Sequence, residues 1–154
     1  MSNKKTALLV PSIPHYLNHP VHPQYSQMLH HLRGIYITKG LTRFGEAVNE
    51  CSSDSDVAVV WIDGVSPISD NQELNAGGLA RKLRMQKYGG LIMLARQDDG
   101  ANGLVEVMLD SLVLIQKDRT HTWVYDPAVL SSPKTELLIP QLVHYATSSG
   151  YVMD

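Results

Sequence analysis

The side chains best suited to chemistry in this chain are its histidines. His15, His19 and His22 lie in a segment punctuated by prolines and His30-His31 follow, so five of the seven histidines fall within 17 residues. Imidazole is a common ligand for zinc, copper and nickel, and an irregular loop can converge on an ion from directions that a helix does not offer. The spacing H-x3-H-x2-H matches no established ligand motif, and the only cysteine, Cys51, lies well away in sequence. These side chains read first as polar loop residues. A zinc or other divalent ion held by His15, His19 and His22 is the alternative, and the sequence itself requires no resident cofactor.

A second candidate is Asp63-Gly64, which ends the apolar run VAVVWID. Ligands of open α/β sheets bind beyond the carboxyl ends of strands, where an aspartate can hold a metal, a ribose or a substrate hydroxyl. Ordinary turn chemistry explains Asp-Gly equally well. Asp70, followed three residues later by Glu73, has the form of a capping box that opens a helix. Gly77-Gly78 inside that helix costs about 1 kcal/mol per glycine relative to alanine. The pair either breaks the helix or admits the close approach of a ligand or another backbone. Asp63, Gly64, Asp70, Gly77 and Gly78 therefore form the expected ligand-binding set.

Several familiar chemistries are missing from the sequence. There is no G-x-G-x-x-G or G-x-x-x-x-G-K-[ST] phosphate cradle, no G-x-S-x-G elbow and no H-E-x-x-H helix. Asp98-Asp99-Gly100 with Asn102-Gly103 lacks the order of a twelve-residue calcium loop and reads as a turn. Cys51 precedes an acidic stretch, SSDSD, which raises a thiol's pKa and argues against a nucleophile.

The 154 residues suit a single domain spanning 1–154, long enough to bury its own core without disulfide or metal. A formal net charge of −2 gives no basic stripe for a phosphate backbone, so no nucleic-acid partner is expected. The cluster Arg81, Lys82, Arg84 and Lys87 reads as the solvated face of a helix. The longest apolar runs, four to six residues, are far too short to span a membrane. A basic start followed by only five apolar residues before Pro11 reads as a cytoplasmic start and a first strand.

The elements that would position these residues follow from hydrophobic period. TALLVP is a first strand, Tyr25, Met28, Leu29 and Leu32 form a helical stripe before Gly34, and Leu41, Phe44 and Val48 form a weaker one after an IYI link. VAVVWID is apolar throughout, as in the centre of a parallel sheet. A third helix carries Leu74, Leu79 and Leu83 and closes at Gly89-Gly90. LIMLARQD, LVEVMLDSLVLIQ and HTWVY then read as an antiparallel meander, and Leu138, Leu142 and Ala146 mark a last helix beginning near Pro140. The expected fold is α/β: a mixed sheet of about five strands in the order β-α-α-β-α-β-β-β-α, with helices packed on it. Trp61 and Trp123 are expected to pack in its core or on a sheet face.

This order, with LVLIQKDRTHTWVY before a terminal helix, resembles the amino-terminal domain of the Tol-Pal translocation protein and the curli-secretion-type envelope lipoproteins. Asp118, Thr120 and Trp123 match the hairpin of that family, whereas His121 replaces its glycine. The resemblance implies assembly or peptide binding in the envelope. Against it stand the missing export signal and the missing amino-terminal lipid-attachment cysteine.

Taken together, the residues point to a cytoplasmic, non-enzymatic binding or assembly module, expected to be a homodimer, whose partner is a second copy, another protein or a small molecule. The alternative is a small metal-dependent hydrolase built from His15, His19, His22 and Asp63.

Overall fold

In a computed structural model the described residues are 5–10, 22–41, 44–51, 56–63, 76–95, 103–109, 112–117, 121–126 and 137–144. They build strands β1 (Thr6–Val10), β2 (Ile37–Gly40), β3 (Val57–Asp63), β4 (Leu91–Ala95), β5 (Gly103–Leu109), β6 (Leu112–Lys117) and β7 (Thr122–Tyr125). Helices α1 (His22–Arg33), α2 (Phe44–Glu50) and α3 (Ala76–Met85) connect the earlier strands, and residues 137–144 are also helical.

All seven strands share one sheet in the order β2-β1-β3-β4-β7-β6-β5. The first five of these positions are joined by parallel pairing throughout. Numbering only these parallel strands along the chain gives the order 2-1-3-4-5, the flavodoxin-like doubly wound order. β6 joins β7, and β5 joins β6, by antiparallel pairing.

The expected meander over 91–126 is therefore corrected. β4 has β3 and β7 as its neighbours, both parallel, and never pairs with β5. The reason is visible in LIMLA, which is buried at every position, as a central parallel strand must be. The single strand expected over LVEVMLDSLVLIQ is two, β5 and β6, with Leu109 opposite Leu112. Only Ile37 of the IYI link enters β2, an exposed edge strand that continues to Gly40, so the sheet has seven strands rather than about five and the element order is β-α-β-α-β-α-β-β-β-β before the last helix.

Helices cover both faces of the sheet. Met28 and Leu32 of α1 join Leu138, Ile139, Leu142 and Val143 over Ala7, Leu9, Val59, Trp61, Met93, Trp123 and Tyr125. On the opposite face Ala47 of α2 and Leu79, Ala80 and Leu83 of α3 pack on Leu8, Val10, Val60, Ile62, Ile92, Leu94 and Val124. A register shift after Thr6, which pairs with Val57 while Ala7 pairs with Val59, sets which face each later β3 residue meets. Alternation from Val59 and Trp61 then places Asp63 on the α1 face. Gly77 and Gly78 fall in the first turn of α3, and the stretch from Asp70 to Asn75 expected to open this helix lies outside the described residues.

Candidate functional site

Parallel strands bring their carboxyl ends to one side of the molecule, and the winding reverses between β1 and β3, whose ends meet at the pair Val10–Ile62. Asp63 is the last residue of β3. It pairs with Ala95, and Ala95 pairs with Tyr125, so the three stand in one row across the sheet. Adjacent strands are about 4.8 Å apart, which puts Asp63 and Tyr125 roughly 10 Å apart along the row, with only a methyl group between them.

Asp63 is 1% exposed and Tyr125 1% exposed, whereas Asp and Tyr ordinarily keep a polar tip in water. The indole Nε1–H of Trp61 donates to the Tyr125 hydroxyl at 2.7 Å. Tyr25 of α1 presents an edge to the Trp61 ring with centroids 5.7 Å apart. Burial pushes the Tyr125 phenol well above its ordinary range; the Trp61 hydrogen bond opposes that and the Asp63 charge adds to it. The phenol stays protonated, so it serves as a hydrogen-bonding group and not as a base.

Of the expected ligand-binding residues, the structure places Asp63 at this carboxyl end and Gly77 and Gly78 at the start of the helix that returns from it. Gly64, Asp70, His15 and His19 lie outside the described residues, and His22 is described only as the first residue of α1. No group of three or more His, Cys, Asp or Glu side chains able to hold a metal ion occurs among the described residues. Tyr125 was missed by sequence reasoning. A meander would have placed another strand between those of Ala95 and Tyr125, whereas both tyrosine and aspartate end apolar runs, which is the signal that could have paired them.

A second polar cluster lies at the opposite, amino-terminal ends of β4 and β7. The Arg84 guanidinium of α3 donates to Thr122 Oγ1 at 3.0 Å, to the Tyr88 carbonyl at 2.8 Å and to the His121 carbonyl at 2.5 Å. It also lies over the Tyr88 ring, 5.6 Å from the centroid. Burial, with Arg84 adding, pushes His121 down to about 4. Gln86 Nε2 donates to the carbonyls of Val48, at 2.9 Å, and Cys51, satisfying the end of α2. Burial, assisted by Glu50 and opposed by Arg84, raises the Cys51 thiol to about 12. At that value the thiol stays protonated near neutral pH, with burial the larger cause and Glu50 the acidic neighbour that adds to it. This end of the molecule fastens α3 to β7 and to α2.

The fold and the site define a class: a doubly wound α/β domain with a buried carboxylate at its strand ends. No family model matches the chain, and no curated protein or solved structure is similar enough to count as a match. No helix among the described residues is long and apolar enough to cross a membrane.

Proposed function

We propose that the protein is a non-enzymatic binding module that holds a small ligand beyond the carboxyl ends of β1 and β3, with Asp63 as the recognition carboxylate. The observation that carries this reading is the reversal of winding between β1 and β3, with an aspartate as the final residue of β3. Doubly wound sheets bind ligands at that crevice. A carboxylate there recognises a hydroxyl, an N–H group or a cation. Tyr125, held protonated and engaged by Trp61, supports recognition over acid-base turnover.

The test is a thermal-shift panel of divalent cations, nucleotides and sugar phosphates on the wild type and on Asp63→Asn. A ligand at 100 times its Kd adds about 2.7 kcal/mol, a shift of several degrees for a domain of this size. A shift present in the wild type and lost in Asp63→Asn is the expected result. Turnover of a phosphoester probe that disappears in Asp63→Asn would overturn the non-enzymatic reading, and a flat panel would overturn the small-ligand reading in favour of a protein partner. The expected homodimer is a separate property, read by sedimentation velocity.

A further inference from the structure

Among the described residues the sheet ends in two edge strands, β2 and β5. β5 carries a register irregularity between Gly103 and Val105, of the kind that blunts an edge, whereas β2 keeps an unbroken register with β1 from Thr6↔Ile37 to Leu9↔Gly40. Ile37 N–H bonds the Lys5 carbonyl at 2.9 Å and Leu41 N–H bonds the Leu9 carbonyl at 3.0 Å, so Ile37, Lys39 and Leu41 turn their backbone groups to β1. Thr38 and Gly40, which alternate with them, aim N–H and C=O away from it. The Tyr36 carbonyl does the same, being trans to Ile37 N–H across one peptide plane, but Tyr36 N–H is already given to the Leu32 carbonyl at 2.8 Å. Ile35 and Ile37 stand at this edge 47% and 56% exposed. A lysine commonly guards such an edge; here the Lys39 ammonium is held by Glu50 of α2 at 2.5 Å.

We propose that this edge docks a second copy of the chain, β2 against β2, antiparallel, with Thr38 on the two-fold axis. Outward groups must meet outward groups, so the axis within the strand falls on Thr38 or on Lys39. Centring on Lys39 sets that lysine directly against its own copy in a non-hydrogen-bonded pair, about 4.5 Å between Cα atoms, where like charges are destabilising. Centring on Thr38 lets the two Thr38 residues exchange N–H and C=O and lets each Gly40 N–H reach the Tyr36 carbonyl of the second copy. The exposed Ile37 then lies across from Lys39 of the second copy and can cover the aliphatic stem of that side chain. The contact is isologous and closes at two copies. It is independent of the Asp63 reading, because β1 separates this edge from β3.

The experiment is sedimentation velocity over a concentration series on the wild type and Thr38→Pro, with oxidation of Thr38→Cys and Lys39→Cys. Proline at 38 removes an N–H that β1 does not use, so the edge strand tolerates it while both axial hydrogen bonds are lost. The expected result is a wild-type dimer whose association is weakened roughly tenfold or more in Thr38→Pro. Thr38→Cys should form a covalent dimer, since a hydrogen-bonded pair places the Cα atoms about 5.5 Å apart, within disulfide reach, and the native Cys51 is buried. Lys39→Cys should not, because in this register the two residues are diagonal and more than about 7 Å apart. If Thr38→Pro does not fold, the two cysteine variants carry the test. A monomer at every concentration, growth past the dimer as addition of β2 to β5 would give, unchanged association in Thr38→Pro, or a covalent yield from Lys39→Cys that equals or exceeds that from Thr38→Cys overturns the proposal.

Discussion

Single side chains carry more weight here than their exposure suggests. Tyr125→Phe strands a buried indole donor, and leaving a buried polar group unsatisfied costs about 1–3 kcal/mol, so a fall in chemical-denaturation stability of that size is expected. The converse holds at Tyr88, whose hydroxyl is buried with no hydrogen-bond partner among the described residues. Tyr88→Phe removes that cost while keeping the ring, and a stability equal to or up to about 1 kcal/mol above wild type is expected in the same measurement. Asp63 was legible in the sequence because an acidic residue ending an uninterrupted apolar run is informative by itself. Tyr125 was not, because it shares a row with Asp63 only through strand adjacency, which no local pattern encodes.

At the scale of elements, the end of α3 shows how a correct boundary can rest on the wrong residues. Gly89-Gly90 marks the region where the helix stops, yet the turn is made by Lys87, with φ of 68°, while Lys87 N–H bonds Arg84 O at 3.0 Å and Tyr88 N–H bonds Leu83 O at 3.0 Å. This is a Schellman ending with lysine where glycine is favoured. Lys87→Gly is expected to raise stability by about 1 kcal/mol, read as a higher midpoint in thermal denaturation. Gly90 matters for space instead, because a Cβ there would meet the Tyr88 ring at 2.5 Å and the Ala58 carbonyl at 2.8 Å. Gly90→Ala is expected to lower stability by about 1–3 kcal/mol in the same assay, since the backbone of β3 cannot retreat without disturbing the sheet. Helix periods and central strands were readable from side-chain pattern, since α1 buries Met28 and Leu32 with Tyr25 and Leu29 partly buried beside them, and β3 buries nearly all of its apolar run. The neighbours of β4 were not readable, because turn signals report where a chain bends and not which strand it returns to.

For the molecule as a whole, acid response should be set in part by His121. Its folded pKa of about 4 lies below the ordinary value of 6.5, so between those values the unfolded chain binds more protons and stability falls as pH drops, with no contribution above 6.5. His121→Gln is expected to flatten urea-denaturation stability across that window. Arg84→Ala, by removing the second cause of the depression, should raise the His121 pKa in an NMR titration while loosening α3 from β7. The winding of the sheet has one more consequence. β4 and β7 are parallel neighbours, and parallel neighbours are ordinarily bridged by a crossover of a dozen or more residues, usually a helix. Between them the described residues form only the β5–β6 hairpin, which adds to the far side of β7. The hairpin therefore occupies the position where β7 would otherwise be the edge of five parallel strands, so the last of the parallel strands is kept interior by antiparallel chain rather than by a further crossover.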